Sequence, residues 1–467
     1  MIPRMRITHV TSLAIGLLLA TAAGPVMSAA ETNGLLRLMT LEPGHFHAAL
    51  LQMQMQPDLA AQVDVYALPG PDLAAHLARI DQFNARAQNP THWDEIVHTN
   101  GDPLEHLLVE HPGNVVVLAG NNAGKIDRIQ AMVAARISVL ADKPWIITTG
   151  DFPKLAATLA SAHANHVVAY DAMTQRFEIT CLLPRELVNT PAVFGQLVDG
   201  TAEQPAVDMA SLHYLLKEVA GVPLLRPPWF FDIRQQGEAL ADVGTHLADL
   251  VPWTIFPDQA MDYRTDIQLV SATRWPTVIS LPEFQKVTGE SMFPVYLAGA
   301  LRAGNLHYYA NNTVTYALRH KHVRLKLQWA YQPPAGSKDA ELAIFRGTQA
   351  RVEVRQGAAE NYIAQVYVIP TRPELHGVVA AALAVKMAAL QMVYPGLSVK
   401  DLGDRFQIQI PDAFRVGHEA HFALLTRRFL DYVQHPESQP AWEQPNLLAK
   451  YFLTTAGVEL ARQNPQP

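Results

Sequence analysis

The sequence predicts an α/β doubly wound parallel sheet followed by an α+β domain with a largely antiparallel open sheet. Two textures carry that expectation. In the first half short apolar runs alternate with helical stretches, and the run Asn114 to Gly120 (NVVVLAG) has almost no polar alternation. Such a strand needs cover on both faces, which a parallel sheet between helices provides. From about Val193 the strands alternate polar and apolar residues instead, as in Leu306 to Leu318 (LHYYANNTVTYAL) and His322 to Tyr331 (HVRLKLQWAY). That pattern marks an antiparallel sheet with one wet face.

In chain order the strand signals are Leu35 to Leu41, Val63 to Leu68, Glu95 to Thr99, Asn114 to Gly120, Ile137 to Pro144 and His166 to Asp171. Helical stretches fall between them at Ala48 to Gln56, Asp72 to Arg86, Asp102 to Glu110, Ile126 to Ala135 and Phe152 to His163. At 467 residues the chain exceeds the size at which one core keeps growing. We therefore expect a first domain over 34–165 and a second over 166–467.

Arg4 and Arg6, the apolar run Leu13 to Ala23 and the small residues Ser28, Ala29 and Ala30 read as a signal peptide over 1–30. Its apolar core is shorter than the roughly 20 residues of a spanning helix, so no membrane anchor is expected after cleavage. No other span is evident. A periplasmic or secreted location follows, and the single cysteine, Cys181, forms no internal disulfide. The net charge of -7, with 36 basic residues spread along the chain, leaves no basic stripe for nucleic acid. A small neutral or polar substrate fits better.

At the first strand-to-helix junction, LEPGHFHAAL (Leu41 to Leu50), a dinucleotide-binding fold carries G-x-G-x-x-G. This chain keeps one glycine, Gly44, followed by His45, Phe46 and His47. Gly44 is expected to make the tight turn, while backbone N–H groups at the start of the next helix bind pyrophosphate with the two histidines as extra donors. Glu42 adds negative charge there. The acid that binds ribose after the second strand is missing from VDVYALPGPD, where Asp64 stands at the strand's start. His45 and His47 are two ligand types without an evident carboxylate partner, so no metal site is expected.

A second stretch, GEALADVGTHLADLVPW (Gly237 to Trp253), places Asp242, His246 and Asp249 within roughly 60° of one another on a helix. Imidazole titrates near working pH, so His246 is a candidate base for the proton of a secondary alcohol while hydride leaves carbon. Lys143, at the carboxyl end of a central parallel strand, is placed to hold the substrate hydroxyl and stabilise alkoxide charge. His213, Tyr214, Arg226 and Trp229 are candidates to line a sugar pocket.

Three stretches in order resemble the glucose-fructose oxidoreductase, inositol dehydrogenase and MocA-like (Gfo/Idh/MocA) family. ADKPWIIT, with Asp142, Lys143 and Pro144, resembles its Glu-Lys-Pro motif; LAGNNAGK matches its Thr-Pro-Asn-x-x-His at Asn122, with Lys125 in place of the His. Asp242, Gly244, His246 and Asp249 fall on its Gly-Gly-x-x-x-Asp-x-Gly-x-His-x-x-Asp motif. QRF (Gln175 to Phe177) is similar to the segment opening the family's substrate domain, and Gly347-Thr348 to a late turn. The tail from Gly417 is similar to a less studied branch of oxidoreductases in this family.

The resemblance implies a Rossmann-like first domain and NAD or NADP as cofactor, with Gly44, His45, Phe46, His47, Asn122, Asp142 and Lys143 at the cofactor. It implies catalysis by Lys143, Asp242 and His246, with Asp242 orienting His246, and a sugar-like substrate also met by Arg176, Asp249, His213 and Tyr214. A homo-oligomer is the expected assembly. Two other activities stay open: an enzyme that cleaves glycosides by oxidation, elimination and re-reduction on a retained NAD, and a carbohydrate-binding homologue without cofactor.

Overall fold

The computed structural model describes residues 35–219 and 222–464, and the expected signal peptide lies outside them. Among these residues β1 (Leu38–Leu41), β2 (Gln62–Tyr66), β3 (Asp94–His98), β4 (Val115–Leu118), β5 (Ser138–Ala141) and β6 (Ala169–Asp171) form a parallel sheet in the order β3-β2-β1-β4-β5-β6. The connecting helices are α1 (His47–Leu50), α2 (Pro71–Ala85), α3 (Pro103–Glu110), α4 (Lys125–Ala134) and α5 (Phe152–Asn165). Leu38, Val63, Val65, Val115 and Val117 face one core, and Met39, Leu41, Val116, Leu118 and Val139 face the other. Burial on both sides explains the unbroken apolar runs. The order in which successive strands are added reverses between β1 and β4, and open parallel sheets bind ligands beyond the carboxyl ends of strands at such a point.

β6 pairs in parallel with β5 through Val139–Ala169 to Ala141–Asp171. The change of architecture therefore falls after Asp171, later than the boundary expected at 165. Beyond it, α6 (Ile179–Val188) and α7 (Pro191–Phe194) lead into β7 (Val207–Tyr214), and a separate small hairpin joins β8 (Glu218–Val219) to β9 (Val222–Pro223). Next come α8 (Gly244–Ile255), β10 (Ile267–Ile279), α9 (Leu281–Thr288), β11 (Leu301–Arg302), β12 (Asn305–Leu318), β13 (Lys321–Ala330), β14 (Ala340–Arg346), β15 (Ala350–Gln356) and β16 (Gln365–Pro370). α10 (His376–Leu390), β17 (Ser398–Asp401) and β18 (Phe406–Gln409) complete the second sheet, ordered β10-β12-β13-β7-β14-β15-β16-β18-β17 with β11 beside β12. Its pairings are antiparallel except that of β13 with β7.

By length and hydropathy the stretch Pro373–Leu390 is apolar enough to cross a membrane, a span the sequence reading does not anticipate. Its Val379, Leu383, Met387 and Leu390 nonetheless form one buried stripe in the core of the second sheet. The last two helices, α11 (His418–Gln434) and α12 (Glu443–Gln463), return to the first sheet. Phe422, Leu425 and Phe429 of α11 enter the core on one face, and Leu447 and Tyr451 of α12 enter the core on the other. Each such side chain contributes roughly 1.5–3 kcal/mol by leaving water. Ala449, Leu453 and Val458 of α12 also pack into the core of the second sheet, so one helix serves both.

Candidate active site

Loops after β1, β4 and β5 converge at the reversal point. In the β1 loop the left-handed conformation belongs to Glu42, at φ 47°, and Gly44 is not in that region. Glu42 thus takes the tight-turn geometry that a first glycine supplies in dinucleotide loops, which corrects the expectation for Gly44. A Cβ at Gly44 would meet only ordinary contacts, the nearest being Asp72 Oδ2 at 3.4 Å. The Glu42 carboxylate lies so close to Gly120 that a Cβ there would come within 2.9 Å of it, and Arg128 Nε neutralises it at 2.7 Å.

α1 stops after four residues rather than running from Ala48 to Gln56. The carbonyls of Gln52 and Met53 accept from Trp93 Nε1 at 2.6 Å and Arg86 Nη2 at 2.5 Å, side-chain donors that replace the next helical N–H groups. So short a helix has little dipole to offer a pyrophosphate. The histidines do not serve as outward donors either. His47 Nδ1 donates to Asp142 Oδ1 at 2.9 Å, and His45 Nδ1 lies 2.9 Å from Asp142 Oδ2. Phe46 packs edge-on to His47 with ring centroids 4.6 Å apart.

Asp142 is buried, which by itself raises its pKa, but the two imidazoles outweigh burial and hold the carboxyl well below its usual range. His47 is pushed down to about 4 by burial, against the pull of Asp142. Its Nε2 meets His418 Nε2 of α11 at 2.8 Å. Nothing in the sequence order links these two residues; only the return of α11 to the first sheet brings them together.

The β4 loop supplies Asn122 and Lys125. Lys125 Nζ donates to Asn122 Oδ1 at 2.7 Å and to the Asp142 carbonyl at 2.9 Å, while Asn122 Nδ2 donates to the Gln236 carbonyl at 2.9 Å. Burial lowers the Lys125 pKa to about 8. Both side chains are used up in tying β4, β5 and the Gln236 segment together, so Asn122 forms a wall of the site rather than a cofactor contact.

Lys143 and Asp242 meet directly, with Nζ donating to Oδ1 at 2.5 Å. Burial lowers the Lys143 pKa, but Asp242 and Asp142 outweigh it and keep the ammonium charged. Asp242 sits in the turn before α8, not on the helix, and pairs with Lys143 in place of His246. The single helical stripe is thereby corrected: a chain turn separates Asp242 from His246. His246 is half-buried, its Nδ1 has no partner, and burial with the Lys143 charge holds its pKa well below the ordinary value. It is a neutral imidazole whose Nδ1 is buried and unpartnered.

Asp249 and Arg176 are not available to a substrate. Arg176 clasps Asp249 through Nε at 2.6 Å and Nη2 at 2.7 Å and reaches Glu443 through Nη1 at 2.9 Å. They form a buried ion-pair cluster joined by Lys450, whose Nζ lies 2.8 Å from Asp171. His213 is likewise engaged, with Ser211 Oγ at 2.7 Å and Asp339 at 3.1 Å, and stacks on Trp329. Tyr214 is buried beside it. Arg226 lies over Phe230 and Trp329 at 4.7 and 4.8 Å and donates to the carbonyls of Leu215 and Tyr214. The Asp242 charge acts on both Arg226 and Tyr308, so this aromatic cluster borders the Lys143–Asp242 pair.

Residues 183–462 match the family described as "Putative oxidoreductase C terminal domain". No curated protein matches the chain. Among solved structures the chain is 42% identical to a putative oxidoreductase from Parabacteroides merdae, covering 92% of this chain and 98% of that one at a TM-score of 0.90. GenD2 from gentamicin A biosynthesis, in complex with NAD, shares 16% identity over 94% of this chain and 98% of its own, at a TM-score of 0.56. KijD10, a 3-ketoreductase from Actinomadura kijaniata in complex with NADP and TDP-benzene, shares 11% over 92% and 98%, at 0.52. The doubly wound sheet with its Lys143–Asp242 pair, the mixed open sheet and these matches together make the chain a member of the Gfo/Idh/MocA oxidoreductase family.

Proposed function

We propose that the chain is an exported oxidoreductase that transfers hydride between NAD or NADP and a secondary hydroxyl of a sugar or sugar derivative. The observation that carries this reading is the charged Lys143, held by Asp242 at the carboxyl end of β5, beside the neutral His246. The dinucleotide fits the reversal point on three counts. Glu42 reproduces the tight turn, Arg128 cancels its charge, and the backbone of Gly44 carries no side chain. The backbone at Gly44 would hold the cofactor, and a bound nicotinamide supplies the hydride acceptor. NAD in GenD2 and NADP in KijD10 support the cofactor class.

The chain's own groups then divide the proton chemistry. The Lys143 ammonium binds the substrate oxygen and stabilises it as the proton departs. Asp242 keeps that ammonium charged and fixes its position. His246, neutral and unpartnered at Nδ1, accepts the hydroxyl proton. The packed Trp329, Phe230 and Tyr308 cluster, with Arg226 over two of its rings, borders the Lys143–Asp242 pair and fixes the shape of the site on that side.

Denatured protein is expected to release NAD or NADP, and His246→Ala to lower kcat by roughly 10²- to 10⁴-fold on a neutral sugar derivative followed at 340 nm. Lys143→Met should cost a similar factor, and the double variant far less than the product, because the groups act as a unit. Full turnover by His246→Ala would remove the imidazole from the mechanism. Assaying aglycone release in parallel separates net oxidation from an elimination cycle.

A further inference from the structure

We infer that His45, His47 and Asp142 bind a divalent first-row transition metal ion, of the zinc class. Their ligand atoms all lie within 4.8 Å of one another. Each imidazole presents Nδ1 to a different oxygen of the same carboxylate, at 2.9 Å. One of these contacts is not a hydrogen bond: His45 Nδ1 is buried and has no hydrogen-bond partner although Asp142 Oδ2 is so near. A buried nitrogen close to a carboxylate but out of line with it is the arrangement of two ligands converging on a third atom, not of a donor meeting an acceptor.

The framework is rigid and built from separate strands. His45 and His47 follow β1, Asp142 follows β5, and β4 lies hydrogen-bonded between the two. His418 touches the far nitrogen of His47 at 2.8 Å, the outer contact that orients a metal-ligating imidazole. The neighbouring charges leave the carboxylate free for a cation. Lys143 donates to Asp242, and Lys125 binds the carbonyl of Asp142 rather than its side chain, so neither ammonium occupies the carboxylate oxygens. Two imidazoles and one carboxylate suit zinc, cobalt, nickel or iron and not calcium or magnesium. Three protein ligands leave at least one position open to water or another oxygen donor, the arrangement of a catalytic rather than a structural metal centre.

The test uses full-length protein carrying no polyhistidine tag, stripped with a chelator and dialysed. Titration with Co²⁺ should give visible d–d bands saturating at one ion per chain, and Zn²⁺ should displace them and raise the melting temperature. His45 is half-exposed, so His45→Ala should fold like the parent by circular dichroism and lose the bands. His418→Ala, which removes only the outer contact, should weaken binding by about 10- to 100-fold. A stripped parent that takes up neither ion, or a His45→Ala chain that binds both as the parent does, overturns the assignment. Neither readout depends on nicotinamide or on turnover.

Discussion

At the level of single residues, burial decides which charges are chemistry and which are structure. Lys143, Asp242 and His246 stand out in the sequence because a short motif and a strand end carry them; the structure pairs Lys143 with Asp242 and sets His246 within range of the Lys143 charge. Arg176 and Asp249 looked alike in the sequence, yet each satisfies the other in a buried cluster with Glu443. Sequence order holds no sign of that pairing, nor of His418 beside His47, because 371 positions separate the latter two. Glu341 on β14 is another residue whose state only packing reveals. Burial, with Glu178 and Asp339 adding repulsion, pushes its pKa up to about 7 from 4.5; Cys181 lies close by, and its own thiol is pushed up by the same burial and carboxylates. A raised folded value means that its contribution is present below pH 4.5 and is lost as pH rises through 7. Glu341→Gln should therefore remove a loss of stability between about pH 5 and 8, gaining up to about 3 kcal/mol at the upper end. Urea midpoints of parent and variant that run parallel across that window would show that Glu341 titrates normally.

Among the elements, α12 does the most joining. Tyr451 Oη accepts from the Trp145 N–H at 2.9 Å and donates to Asp171 at 2.7 Å, linking the helix to the β5 loop and to β6. All these groups are buried. Tyr451→Phe keeps the ring, strands the Trp145 backbone donor and leaves Asp171 to Lys450 alone, so it should destabilise by about 1–3 kcal/mol. Equal urea midpoints for the two proteins would mean that Lys450 and water take over both contacts. The parallel strands could be read from the sequence since double burial writes itself as unbroken apolar runs. Helix α1 could not: its Ala, Leu, Met and Gln are good helix formers, but Trp93 and Arg86 take its carbonyls. Tertiary donors override propensity there.

On the scale of the molecule, the signal-peptide pattern in residues 1–30 predicts that soluble protein from a native-like host begins near Glu31 by intact mass. An unprocessed Met1 in that fraction would place the protein in the cytoplasm instead. The change of texture near Val193 was visible in the sequence, but the return of the tail was not, because helices that cover a distant sheet read like any other amphipathic helices. That return also sets a timetable. The β1–β6 sheet is the first part of the chain to leave the ribosome, and the side chains that seal its two faces, Phe422, Leu425 and Phe429 on one and Leu447 and Tyr451 on the other, are among the last. Until those helices are made, the connecting helices α2, α4 and α5 are the cover these two faces have. A chain cut short before its final helices therefore exposes apolar surface on both faces of its first sheet, although every strand of that sheet is present.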